Sequence, residues 1–164
     1  MQPSKPKTHT WQVPTPEEWA QVATQALALF GDTPIWIFEG NLGAGKTTFI
    51  KALAKQMGVE GLVSSPTFAL VQSYVLPKTL PNFLPHSLNS LSKRGELHHF
   101  DLYRLETLEQ ALDIGIEEYL DSGAICWIEW AQIVVSLLPK PYIVASIVPS
   151  LDSTLRTVTL SRHE

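Results

Sequence analysis

Only one cysteine, Cys126, occurs in 164 residues, and it sits inside an apolar run. A lone thiol can neither close an internal disulfide nor supply a cysteine-rich metal centre, which fits a reducing cytosol. Charge is scarce as well, at 17% of the chain against an average of about 25%. Twelve Lys and Arg face sixteen Asp and Glu, for a formal charge of −4. Free-standing nucleic-acid binders neutralise phosphates with a basic surface, so this balance argues against that class. No run approaches the ~18 consecutive apolar residues of a membrane helix, and the opening MQPSKPKTHT lacks the apolar core of a signal peptide. The expectation is a soluble, cytoplasmic protein with no membrane association. What is present is an ordinary globular share of apolar residues, 45%, in the length of a single domain, 1–164.

Strand-like and helix-like segments alternate. Residues 1–7 are polar and Pro-containing and read as a frayed tail, and 9–13 as an edge strand. Thr15, Pro16, Glu17 and Glu18 match a capping box with proline at the first helical position, predicting a helix that ends near Gly31. PIWIF (34–38) and AICWI (124–128) are unbroken apolar runs between turn residues, the mark of strands buried on both faces. Residues 69–76 and 97–102 read as further strands, and 142–148 with 155–160 as an antiparallel pair. A helix over 46–57 is stopped by Gly58. Thr107 and Gln110 form a second capping box, opening a short helix interrupted at Gly115, and residues 131–138 read as a helix closed by Pro139. The Pro-rich stretch 77–96 reads as a long inserted loop with no element of its own, disordered in preference to touching a partner. This alternation predicts an α/β sheet with helices on its faces.

The segment Gly40-Asn41-Leu42-Gly43-Ala44-Gly45-Lys46-Thr47 matches G-x-x-x-x-G-K-[ST] at every fixed position. Glycines let successive backbone N–H groups converge on phosphate oxygens, and the helix that follows adds its positive N-terminal end. Average residue usage produces such a match in only about half a percent of chains this long. The strand before it and the helix after it strengthen the case against a plain glycine turn. The nucleotide-binding set is therefore Asn41, Leu42, Gly43, Ala44, Gly45, Lys46, Thr47 and Thr48. In this motif the lysine bridges the β- and γ-phosphates and the hydroxyl of Thr47 serves Mg²⁺.

Hydrolysis also needs a carboxylate that holds Mg²⁺ or orients water. Asp101 and Glu129 both stand at the carboxyl ends of predicted strands, the edge where open α/β sheets bind ligands. For Glu129 the competing reading is a surface acid; for Asp101 it is a helix cap or a salt bridge to Arg104. Thr67, in Ser64-Ser65-Pro66-Thr67, stands where P-loop switch proteins carry a threonine that senses the γ-phosphate, although a simple turn accounts for the same residues. His98 and His99 should face opposite ways, one inward and one outward, and no third ligand at metal spacing accompanies them. Trp130, beside Glu129, could face the nucleotide or a partner. Of the arginines at 94, 104, 156 and 162, just Arg104 lies near a motif, so no arginine finger is evident.

Taken together, GNLGAGKTT (40–48), SPTF (65–68), HFDLYRL (99–105), GIEEYL (115–120) and IEW (128–130) resemble the bacterial TsaE family, small P-loop ATPases of the tRNA threonylcarbamoyladenosine pathway. The resemblance runs from about Thr15 to Trp130. It implies a P-loop NTPase-like three-layer α/β fold with a mixed, mainly parallel central sheet. It further implies a Mg²⁺-dependent ATPase required for threonylcarbamoylation of adenosine beside the anticodon in tRNAs reading ANN codons. Such a subunit acts with transferase subunits of the TsaD and TsaB type, meets tRNA only indirectly and does not transfer the group itself. Carried over by motif, Lys46 and the loop amides hold the phosphates of ATP, while Thr47 and Glu129 serve Mg²⁺. Asp101 lies near the metal or the attacking water, and Thr67 is switch-like. The lack of an arginine finger suggests slow turnover until partners complete the site. Two rival classes remain. A small-molecule kinase would need a lid bearing several arginines, where 77–96 offers only Lys78, Lys93 and Arg94; a nucleotide-gated interaction module would need no turnover. No N-K-x-D motif for guanine is present.

Overall fold

A computed structural model describes residues 7–66, 68–152 and 154–164. Among these, seven strands form one sheet: β1 (Thr8–Val13), β2 (Ile35–Glu39), β3 (Val71–Val75), β4 (Glu96–Asp101), β5 (Ile125–Glu129), β6 (Tyr142–Pro149) and β7 (Arg156–His163), in the order β1-β7-β6-β2-β5-β4-β3. The four central strands run parallel, with β2 between β5 and β6 and β4 beyond β5; β7, β1 and β3 complete the edges through antiparallel pairings. The helices are α1 (Trp19–Phe30), α2 (Lys46–Gln56), α3 (Asn89–Ser92), α4 (Leu108–Asp113) and α5 (Ile116–Asp121).

The two-residue period of a strand explains the layers. On β2 and β5, Trp36, Phe38, Ile125 and Trp127 join the core under α1 and α2, while Ile35, Ile37, Cys126 and Ile128 join the core under α4 and α5. Both faces are covered, so these strands carry unbroken apolar runs in place of alternation. The ring centroids of Phe49 and Trp127 lie 6.0 and 6.3 Å from that of Phe38 in edge-on contact, and each ring this deeply buried contributes about 1.5–3 kcal/mol. This wall supports the turn that leaves β2. The three-layer α/β fold with a mixed sheet and a parallel centre is the one expected.

Several local expectations change. Thr15 makes no side-chain cap; its backbone carbonyl closes a 3-10 turn over Pro16–Glu18 by accepting from the Glu18 amide, and α1 starts only at Trp19. The segment Ala131–Leu137 is 3-10 and not α-helical. Both histidines are buried, because a sheet covered on both sides has no outward face: His98 packs edge-on against Tyr119, and His99 points to the opposite layer. Residues 77–96 are not structureless. Leu80, Leu84 and Leu88 enter the main core, and a 3-10 turn (His86–Leu88) leads into α3. The tail expected over 1–7 lies outside the described residues except for Lys7, whose carbonyl accepts from the Arg162 amide at 2.7 Å.

Candidate functional site

Strand direction assembles the site. β2, β5 and β4 are parallel neighbours, so their carboxyl ends share one edge of the sheet, with Phe38 and Asp101 each in register with Glu129. The chain leaves β2 through the glycine-rich turn at that same edge. A Cβ at Gly40 would come within 2.8 Å of the Ile147 carbonyl oxygen and 2.9 Å of the Ala44 Cβ, and Gly45 enters α2 at φ +114°. Neither position tolerates a side chain without moving backbone. The first bond of the helix runs from the Phe49 amide to the Gly45 carbonyl, at 2.9 Å. The amides of Lys46, Thr47 and Thr48 therefore precede every intrahelical acceptor and form an anion-binding end.

These elements enclose a cleft of about 480 Å³ lined by Leu42, Gly43, Ala44, Gly45, Lys46, Thr47, Thr48, Ser65, Asp101, Tyr103, Arg104, Glu129 and Trp130. Every residue expected to bind nucleotide from Leu42 to Thr48 is on its wall, as are Asp101 and Glu129. Asn41 contributes through its carbonyl, which accepts from the Lys46 ammonium at 3.2 Å. The same ammonium donates to the Gly40 carbonyl and lies 4.2 Å from the centroid of the Trp130 ring. Burial holds its pKa below the usual lysine value of 10.5, against the opposing pull of Glu129 and Asp101. Thr67 lies outside the described residues.

The Thr47 hydroxyl donates to Glu129 Oε1 at 2.9 Å, across 82 positions of sequence. Glu129 is only 3% exposed. Asp101 accepts from the Ser65 hydroxyl at 2.9 Å and, through its other oxygen, from the Tyr103 amide at 3.1 Å. It is neither a helix cap nor, among the described residues, an ion-pair partner of Arg104, whose guanidinium lies 4.3 Å from the centroid of the Phe68 ring. Thr47, Ser65, Asp101 and Glu129 thus offer oxygen donors only. Such a set fits Mg²⁺, which takes one or two carboxylates and completes its shell with water and phosphate. Among the described residues no three His, Cys, Asp or Glu side chains form a metal cage.

Two contributors, His99 and Arg156, were not expected at the site, whereas a third, Trp130, was expected to face the nucleotide or a partner. His99 holds Glu129 Oε1 at 2.9 Å through Nε2. Arg156, on β7, donates through Nε to the Ala44 carbonyl at 2.9 Å and so braces the loop from 112 positions away. Trp130 is left-handed at φ 58°, a conformation costing a non-glycine residue roughly 1–2 kcal/mol. His99 and Trp130 stand in the motifs HFDLYRL and IEW, whereas no motif pointed to Arg156. A second cleft of about 230 Å³ flanks the loop on its other side, lined by Pro14, Pro16, Trp19, Gly43, Gly45, Thr48 and Arg156 among others.

Comparison with known proteins gives a consistent picture. A family model described as "Threonylcarbamoyl adenosine biosynthesis protein TsaE" matches residues 13–157. The chain is 36% identical over 135 residues to the tRNA threonylcarbamoyladenosine biosynthesis protein TsaE of Bacillus subtilis, covering 79% of this chain and 71% of that protein. The protein of the same name from Rickettsia bellii is 37% identical over 128 residues, 77% of each chain. The crystal structure of Bacillus subtilis YdiB superposes with a TM-score of 0.66 at 27% identity, covering 95% of this chain and 86% of that one.

Proposed function

The chain belongs to the TsaE family, and from that membership we propose that it binds and hydrolyses ATP in this cleft as one component of tRNA threonylcarbamoyladenosine biosynthesis. The observation that carries the reading is the Thr47 hydroxyl 2.9 Å from the Glu129 carboxylate, at the foot of an anion-binding helix end. A hydroxyl and an acid brought together there from opposite halves of the chain are of little use to a mere glycine turn.

Each residue then has a task. The amides of Gly43 to Thr48 and the ammonium of Lys46 receive the β- and γ-phosphates. Thr47 and Glu129 would hold Mg²⁺, which would neutralise charge on the phosphates. Asp101, fixed by Ser65 and by the Tyr103 amide, lines the same cleft, where it would serve Mg²⁺ or orient the attacking water. Thr67 answers the terminal phosphate. The nucleoside end lies in the second cleft, which shares Gly43, Gly45 and Thr48 with the first, with Trp19 and Arg156 beside it.

Among the described residues only Arg104 lines the main cleft as an arginine, and its guanidinium is engaged with Phe68. A missing arginine costs phosphoryl transfer on the order of 10³-fold or more. The activity is therefore slow alone and completed by partner subunits of the TsaD and TsaB type, which carry out group transfer and hold the tRNA. Single-turnover hydrolysis of ATP with and without those subunits tests this. Acceleration by the partners supports the reading, and equal, fast rates in both samples refute the dependence.

A further inference from the structure

His99 takes no part in the motif chemistry, yet it is wholly buried directly behind the acid of the cleft. It pairs in register with Trp127, so its side chain shares a face of the sheet with Glu129, two residues farther along β5. Nε2 lies 2.9 Å from Glu129 Oε1, while Nδ1 is buried with no hydrogen-bond partner. A neutral imidazole carries one N–H and one lone-pair nitrogen. Facing a carboxylate oxygen, Nε2 must carry the hydrogen; a hydrogen on Nδ1 would be a buried donor without an acceptor, which is costly.

The second donor to the same oxygen is the Thr47 hydroxyl, at 2.9 Å. Two donors on Oε1 fix the carboxylate about its long side chain and leave Oε2 as the oxygen for the cleft. Without them the acid has an obvious alternative. Lys46 lies within electrostatic reach of Glu129, yet among the ion pairs of the described residues the two are not joined. Collapse of Glu129 onto the ammonium would occupy both the phosphate-binding cation and the metal-binding anion at once.

We propose that His99 is a positioning residue whose Nε2–H holds Glu129 Oε1, keeping that carboxylate off Lys46 and turned toward the metal-bearing phosphates of a nucleotide. The role in nucleotide binding rests on the reading of the cleft given above; the tautomer and its bond to Glu129 do not. His99 touches neither nucleotide nor metal. Its contribution lies in the Mg²⁺-dependent part of nucleotide affinity, and loss of such a supporting partner typically weakens metal binding about 10- to 100-fold.

Two measurements test the proposal. In wild-type protein with ¹⁵N-labelled histidine, long-range ¹H–¹⁵N spectra should show one imidazole as the Nε2–H tautomer with a slowly exchanging proton, assigned to His99 by its loss in His99→Gln. A Nδ1–H tautomer there overturns the proposal. In parallel, ADP affinity is titrated with Mg²⁺ and with EDTA for wild type, His99→Gln, which keeps a side-chain N–H at similar reach, and His99→Leu, which has none. His99→Leu should lose about 10-fold or more of the Mg²⁺-dependent gain while its affinity in EDTA stays unchanged, and His99→Gln should retain the gain. A folded His99→Leu with the full gain, or a folded His99→Gln that loses it, overturns the proposal. Should His99→Leu fail to fold, the tautomer spectrum and His99→Gln decide. Wild type showing no Mg²⁺-dependent ADP binding would sink the reading of the cleft, and the tautomer spectrum would still decide whether His99 holds Glu129.

Discussion

The Lys46 ammonium lies 4.2 Å from the centroid of the Trp130 ring while donating to the carbonyls of Gly40 and Asn41 in its own loop. A partly desolvated cation over an indole is worth about 0.5–2 kcal/mol, comparable with the cost of holding Trp130 at φ 58°. The Lys46 ammonium and the residue that follows Glu129 therefore keep each other in place. A nucleotide that draws the ammonium onto its phosphates removes a charge from the face of the indole. Addition of ADP should change the intrinsic tryptophan emission, and Trp130→Phe should reduce that change to what Trp19, beside the second cleft, contributes. A change of the same size in Trp130→Phe would show that the indole does not sense Lys46.

Two stretches with the same capping pattern behave differently, which gives a sharp comparison. Thr107 accepts from the Gln110 amide, and Gln110 returns a bond to the Thr107 backbone, whereas Thr15 makes no side-chain cap. Thr107→Ala should cost about 0.5–2 kcal/mol of stability, and Thr15→Ala should stay within about 0.5 kcal/mol of wild type. Urea unfolding of the two variants checks this. A Thr15→Ala loss as large as that of Thr107→Ala would contradict the assignment.

His98 supplies a pH dependence. Burial holds its imidazole below the ordinary value of 6.5, Glu96 pulls it the other way from 3.6 Å, and the ring also meets the Ser73 hydroxyl and the Tyr119 ring. A histidine kept neutral in the fold takes up its proton more readily in the unfolded chain. Its contribution is fully present above pH 6.5, diminishes as the pH falls through that value, and levels off below the lowered native pKa. Between about pH 8 and about pH 5, wild type should therefore lose more of its Tm than His98→Gln does. Parallel Tm curves for the two proteins would contradict this.

How much of this was legible follows physical lines. The glycine-rich loop is local: its glycines, Lys46 and Thr47 are adjacent, and a strand and a helix bracket them, so sequence alone places them. The apolar runs at Ile35 to Phe38 and Ile125 to Ile128 betray burial on both faces for the same reason. His99 and Arg156 were not legible, because only the sheet brings them to Glu129 and Ala44, across 30 and 112 positions. Leu80, Leu84 and Leu88 recur every four residues, a core signal that the surrounding prolines concealed. Thr15 misled because its pattern is that of Thr107, and the backbone carbonyl of Thr15 had already closed the turn. The 3-10 geometry of Ala131–Leu137 follows the left-handed Trp130, a conformation no residue type at that position announces.

In the proposed function, Lys46 and the amides around it hold the phosphates of ATP in this cleft. Calorimetric titration of wild type and Lys46→Ala with a non-hydrolysable ATP analogue and Mg²⁺ tests it most directly. Wild type should show saturable one-to-one binding, and a folded Lys46→Ala should bind at least about tenfold more weakly, the loss expected of a charge-assisted phosphate contact. Equal affinity in the two proteins, or none in wild type, would contradict it.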